Sequence, residues 1–193
     1  MSWRLIIVAT LLLVCGPAVA QPVGFSPAME AALSSTDNDD LARQFYQQRS
    51  GALAWSGSAR TDARLAIAVL ANAASEGLDP ERYRVSLNSG NATADDVAIS
   101  TAVLTYMRDL ALGRPDLRTL DTDVALSPRS LDTSALLNDA LHQGRLAAML
   151  GSLAPQYPEY AALRAALTRN AMPADIIAAN LERWRRDHDV RWL

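Results

Sequence analysis

Residues 61–80 read TDARLAIAVLANAASEGLDP, and the fold turns on how this stretch is read. Leu65, Val69 and Ala73 recur at four-residue steps, and Ile67 and Leu70 widen the stripe. That period predicts a helix over residues 64–75, capped by Thr61, with one apolar face turned to a core. Glu76-Gly77-Leu78-Asp79-Pro80 then stops it. Gly77 suits the left-handed position that follows a helix C-terminus, and Leu78 can fold back on the helix. Asp79 can cap a second helix, with Pro80 in its first turn. Gly77, Leu78, Asp79 and Pro80 therefore read as a structural corner between two helices, with Gly77 expected at positive φ.

The helical period recurs on both sides. Asp37, Asn38 and Asp39 offer caps for a helix through Arg49, with Leu41 and Phe45 four residues apart on one face. Residues 21–38 carry Pro22 and Pro27 and read as a flexible lead-in with room for one short helix from Pro27. Downstream, Thr93-Ala94-Asp95-Asp96 reads as a capping box for a helix that runs to Leu112 and ends at Gly113. Pro115 and Pro128 mark a loop. Leu136, Leu137, Ala140 and Leu141 define a further helix stopped by Gly144, and Leu146, Ala147 and Leu150 a short successor. Glu159 to Thr168 is helical, and a last helix from near Pro173 carries Ile176, Ile177, Leu181 and Trp184. No stretch alternates with period two, and no Asn-Gly or Asp-Gly hairpin signal lies between β-branched runs. The expected fold is all-α, a compact bundle of six to eight short helices over residues 39–187, followed by a tail over residues 188–193.

Residues 1–20 read as a signal peptide. Arg4 supplies the positive start, and Leu5 to Val14 is nearly continuous apolar sequence. Gly16 and Pro17 break it, and Ala18-Val19-Ala20 supplies the small residues that a signal peptidase reads. The apolar run is about half the ~20 residues of a spanning helix. A mature chain from Gln21, in the periplasm and without a membrane anchor, is expected. Cys15, the only cysteine, lies inside this segment, and the β-branched Val14 before it disfavours lipoprotein processing. A chain from Gln21 has no thiol, and so no disulfide, Cys-ligated metal or Cys nucleophile.

The 18 basic residues are all Arg, against 21 acidic ones, for a net charge of -3. A mildly acidic chain with no basic run lacks the footprint of a general nucleic-acid binder. His142 and His188 have no ligand-spaced companion, and Asp187-His188-Asp189 reads as a polar tail, because adjacent residues on a helix do not face one another. No metal and no cofactor are expected. None of Glu30, Glu76, Glu81, Glu159 and Glu182 sits in a pocket-forming context for glycoside hydrolysis, and no Gly-x-Ser-x-Gly elbow is present. Phe45, Tyr46 and Trp55 read as core, with a sugar-stacking face as the alternative.

The last helix has two readings. Ile177, Leu181 and Trp184 form an apolar stripe at helical spacing. It packs on the body of the domain, or Trp184, Arg185, Trp192 and the tail form a docking surface, because Trp and Arg dominate interface hot spots.

Six segments occur in an order that resembles one family: Phe45-Tyr46-x-x-Arg49 with Trp55; Glu76-Gly77-Leu78-Asp79-Pro80-x-x-Tyr83; Leu104-x-Tyr106-x-x-Asp109-Leu110-x-x-Gly113-Arg114; Leu141-x-x-Gly144; Leu153-Ala154-Pro155-Gln156-Tyr157-Pro158-x-Tyr160-x-x-Leu163; and Ile177-x-x-Asn180-Leu181-Glu182-Arg183-Trp184-Arg185. They resemble the non-catalytic scaffold region of the large multidomain murein L,D-transpeptidases, over roughly Asp40 to Arg185. In that family a peptidoglycan-binding module lies between the last two segments, where this chain has only Arg164 to Pro173. The family's catalytic domain, with its His and Ser-x-Gly-Cys nucleophile, follows the last segment, and no position here matches either motif. The resemblance thus implies a scaffold and carries over no catalytic residue.

The expected function is that of a non-catalytic periplasmic scaffold or accessory protein linked to peptidoglycan remodelling. The alternative is the non-catalytic half of a split L,D-transpeptidase that assembles with a separately encoded Cys-dependent domain; a third reading is a degenerate remnant. The expected partners are an envelope protein, a transpeptidase or other wall enzyme, or peptidoglycan itself. Export is directly testable. N-terminal sequencing of the chain recovered from a periplasmic fraction is expected to begin at Gln21, whereas a start upstream of Cys15 contradicts cleavage.

Overall fold

The computed structural model describes residues 24–36, 39–87, 90–114 and 130–187. Among these residues the chain forms eight α-helices and no strand. They are α1 (Pro27–Ser34), α2 (Asp39–Gln48), α3 (Arg60–Ala71), α4 (Ala92–Leu112), α5 (Thr133–His142), α6 (Leu146–Ser152), α7 (Pro158–Thr168) and α8 (Ala174–Asp187). Single 3-10 turns cover Gly57–Ala59, Ala73–Glu76 and Pro80–Tyr83.

α4 is the hub. Its 21 residues bury Val97, Ile99, Val103, Leu104, Met107 and Leu110, and it packs against α1, α2, α3, α5 and α8. A helix apolar on nearly every side must be covered on nearly every side, so shorter helices surround it. Phe45 and Tyr46 of α2, Leu137 of α5, Leu146 of α6, Tyr160 of α7, and Ile177 and Leu181 of α8 complete the core. Each such side chain stabilises the fold by about 1.5–3 kcal/mol through burial.

The short helix expected from Pro27 forms: Ser26 accepts a hydrogen bond from the Met29 N–H at 3.2 Å, and α1 buries Met29, Ala32 and Leu33 against α4. Three details differ from the sequence reading. α3 opens at Arg60 directly from the preceding 3-10 turn, so Thr61 does not cap it. It also stops at Ala71, and a 3-10 turn carries the chain to Glu76. Asn91, rather than Thr93, caps α4, its side chain accepting from the N–H groups of Thr93 and Ala94 at 3.0 and 3.3 Å. Asp96 is thereby released from a capping box and points inward, 3% exposed. Residues 1–23, 37–38, 88–89, 115–129 and 188–193, on which the expected signal peptide, the Pro115–Pro128 loop and the tail fall, lie outside the described residues.

The corner forms as its residues dictate. Gly77 has φ 68°, its N–H donates to the Ala74 carbonyl at 2.9 Å, and the Leu78 N–H donates to the Ala73 carbonyl at 3.2 Å. These are the two bonds of a Schellman turn. Leu78 folds into the core, and the Asp79 carboxylate accepts the Glu81 N–H at 3.0 Å. Pro80 opens a single turn rather than a second long helix. Gly77 is required twice over, because a Cβ there would lie 2.9 Å from Leu181 Cδ1 and 3.0 Å from Ala178 Cα of α8. Gly77→Ala is therefore expected to cost about 2–4 kcal/mol, the sum of left-handed strain and overpacking. Denaturant unfolding at constant slope measures it, and a loss below about 1 kcal/mol contradicts the close approach.

Candidate functional site

The polar residues of the six segments converge on four buried carboxylates, Asp96, Asp109, Glu76 and Glu182, and one buried guanidinium, Arg185. Asp96 lies inside α4. Its Oδ1 accepts from the Tyr46 hydroxyl at 2.6 Å and the Ala54 N–H at 2.8 Å, and its Oδ2 accepts the Trp55 N–H at 2.8 Å. Ser100, one turn on, accepts from Trp55 Nε1 at 2.8 Å. One carboxylate thus fixes the link after α2, and burial together with the Asp96 charge pushes the Tyr46 phenol far up. Arg49 closes the same link, donating to the carbonyls of Ala52 and Leu53 and to Asn138 of α5.

Asp109, near the other end of α4 and fully buried, accepts from Arg82 Nε at 2.9 Å and the Tyr83 hydroxyl at 3.0 Å. It holds the turn that follows the corner. Tyr83 and Tyr106 meet edge to face with ring centroids 5.4 Å apart.

The third assembly ties α8 down. Arg185 is 0% exposed. Its Nε donates to the Tyr160 hydroxyl at 3.1 Å, its Nη1 to Glu182 Oε2 at 3.2 Å, and its Nη2 to the backbone carbonyl of Glu76. The Glu76 carboxylate is held at both oxygens, by the Tyr160 hydroxyl at 3.0 Å and by Arg164 at 2.7 Å. Burial raises the Glu76 carboxyl above its ordinary value, outweighing Arg164, Tyr160 and Arg185, which pull it down. Burial likewise moves the Tyr106 phenol up to about 12. On the far side of α8, Glu182 accepts from the Arg114 N–H and pairs with Arg186 at 3.1 Å. Gly113, at φ 76°, has to lack a side chain, because a Cβ would lie 2.7 Å from Arg186 Cγ.

This geometry decides the fate of the proposed docking residues. Arg185 cannot belong to an exposed docking surface, since its guanidinium is consumed inside the fold. Trp184 is half-buried and stacks obliquely on Tyr157, with centroids 5.5 Å apart, and Trp192 lies outside the described residues. The corner residues Gly77, Leu78, Asp79 and Pro80 do act in structure, as described above. Sequence reasoning missed Asp96, Asp109 and Tyr160 as polar anchors: each follows a polar neighbour, and no local pattern marks it as the buried one.

A raised carboxyl beside a tyrosine resembles half of an acid–base pair, but Glu76 is 7% exposed and both its oxygens are engaged. It offers no face to a substrate. Ser50, Asp139 and His142 line one cleft beside α5, yet no hydrogen bond joins them. Among the described residues no group of three or more His, Cys, Asp or Glu is placed to hold a metal ion, and no helix is long and apolar enough to cross a membrane.

Comparison with known families gives one match. A family model described as a scaffold domain covers residues 40–167, and the chain belongs to that family. No curated protein and no solved structure matches it.

Two measurements test the α8 clamp. Arg185→Ala leaves Glu76 and Glu182 buried with fewer partners and is expected to cost about 3–5 kcal/mol; a loss below about 1 kcal/mol contradicts the clamp. Glu76 supplies a pH signature. With its folded-state value raised, the folded chain holds the proton more tightly than the unfolded chain. Its contribution is therefore fully present below the ordinary value of 4.5 and is lost as pH rises through the raised value. The stability of wild type relative to Glu76→Gln is expected to fall as pH rises above the ordinary value of 4.5, and a difference that is flat or rises contradicts this.

Proposed function

We propose that this chain is a non-catalytic periplasmic scaffold or accessory protein linked to peptidoglycan remodelling. The observation that carries the reading is the direction of the motif side chains. Tyr46, Trp55, Tyr83, Asp109, Tyr160, Glu182 and Arg185 are buried and bind helices or turns to one another. These are the residues that carry the resemblance to the murein L,D-transpeptidases, and none of them converges on an open cleft as a nucleophile, acid or base. Membership of a scaffold-domain family is consistent with that role. The signal-like segment at residues 1–20 supports the periplasmic placement.

The seating of α8 favours a second reading. Glu182, Arg185 and Arg186 lock this helix to the corner, to α7 and to the end of α4. In the family that the sequence resembles, the catalytic domain follows this helix. A helix held so firmly would orient a separately encoded catalytic domain docked beside it, which is the split-enzyme alternative.

Purified residues 21–193 are to be assayed with muropeptides alone, with a full-length murein L,D-transpeptidase, and with an isolated catalytic domain of that class. The expected result is no turnover alone and a changed cross-linking rate with the full-length enzyme. Turnover by the chain alone contradicts the non-catalytic reading. Rescue of an inactive isolated domain favours the split enzyme. No effect on either enzyme, with no sedimentation on purified sacculi, contradicts the link to the wall.

A further inference from the structure

A polar cleft lies between the turn Pro80–Tyr83 and the middle of α4, and nothing in the scaffold role uses it. Arg82, Arg84 and Arg114 line it, with Thr101 and Thr105 on the α4 side. Arg82 and Arg114 share a mode of attachment. Each is tied to a buried carboxylate through Nε: Arg82 to Asp109 at 2.9 Å, Arg114 to Glu182 at 3.5 Å. Their side chains remain 42% and 43% exposed, and among the described residues no hydrogen bond or ion pair reaches the Nη atoms of Arg114. Both guanidinia line the same cleft. Two half-exposed guanidinium ends, each held from behind through Nε, are suited to bind an anion with two or more oxygens.

The charge balance favours this. Asp109 is shared by Arg82 and Arg108, and Glu182 by Arg114, Arg185 and Arg186, so five guanidinia surround two carboxylates. Of the acidic residues on the cleft wall, Glu81 is offset by Arg84 at 2.8 Å. Asp79 opposes an anion, but its carboxylate is engaged by the Glu81 N–H. Thr101 adds a hydroxyl that is buried and has no hydrogen-bond partner, which is costly unless a ligand completes it.

We propose that the cleft between Arg82 and Arg114 binds the terminal carboxylate of a peptide. Resting on the wall-linked reading above, the peptide is a peptidoglycan stem peptide. Phosphate offers the same oxygen chemistry from a different source, and the test separates the two. A carboxylate accepts the paired Nη donors of one arginine side by side and takes a further donor from the second.

The probes are a murein tetrapeptide, its C-terminal amide, N-acetyl-D-alanine and inorganic phosphate, titrated calorimetrically into residues 21–193 at low salt. Tetrapeptide and N-acetyl-D-alanine are expected to bind, the amide at least tenfold more weakly, and affinity is to fall with added salt. Arg114→Gln removes one fork from a half-exposed position while Glu182 keeps Arg185 and Arg186, so the fold is expected to survive. Its affinity for the carboxylates is expected to drop at least tenfold with an unchanged melting temperature. Thr101→Val, which deletes an unpartnered hydroxyl, is a second fold-preserving variant and is expected to weaken binding several-fold. Arg-dependent binding of N-acetyl-D-alanine without binding of the tetrapeptide leaves the carboxylate cleft standing and overturns the stem-peptide assignment. Binding of phosphate alone, equal binding of acid and amide, or affinity unchanged in both variants overturns the proposal, whatever the fate of the wall-linked reading.

Discussion

A guanidinium that never loses its charge is sealed away from water in this protein, and the arrangement of α8 follows from satisfying it. Arg185 is fully buried, and arginine cannot escape the cost by deprotonating. Its donors must find acceptors, and they find them on separate stretches of chain: the Glu76 carbonyl at the corner, the Tyr160 hydroxyl on α7, and Glu182 on its own helix. No single one of these segments can move without stranding a charge. Two glycines make the approach possible. Gly77 lets Leu181 and Ala178 come against the corner, and Gly113 lets Arg186 and Glu182 come against the end of α4.

The same logic recurs along α4. Asp96 holds the link after α2 through two backbone N–H groups and a tyrosine, and Asp109 holds the turn after the corner through an arginine and a tyrosine. A bundle of short helices joined by irregular links has many backbone groups that no helix satisfies. Buried carboxylates that accept several donors at once are an economical answer, and each fixes one geometry rather than a family of similar apolar packings. Sequence segments that look like a signature are therefore the residues that join one element to the next.

How much of this the sequence disclosed depended on range. The helices and the Gly77 corner were legible because a Schellman turn, a four-residue apolar period and a Pro at a first turn are local events. Most partners of Asp96, Asp109, Glu76 and Arg185 were not, since they lie from 25 to 109 residues away. Thr93-Ala94-Asp95-Asp96 looked like a capping box because its spacing fits one, yet Asn91 captured the helix start and tertiary contacts captured Asp96. Arg185 looked like an interface residue for the reason that arginine usually is one. Tertiary burial overrode that prior, and only the position of Arg185 four residues after Leu181, on the same side of the helix, hinted at it.

The central claim is that α8 is part of the cooperative scaffold and not an appended docking helix. Native-state hydrogen exchange tests it most directly, by comparing amides of residues 177–185 with those of residues 97–110. If the Arg185 clamp holds, the two sets exchange with the same opening free energy and the same denaturant dependence, because they are exposed only together. Exchange of residues 177–185 through a smaller opening, while residues 97–110 stay fully protected, would contradict the account.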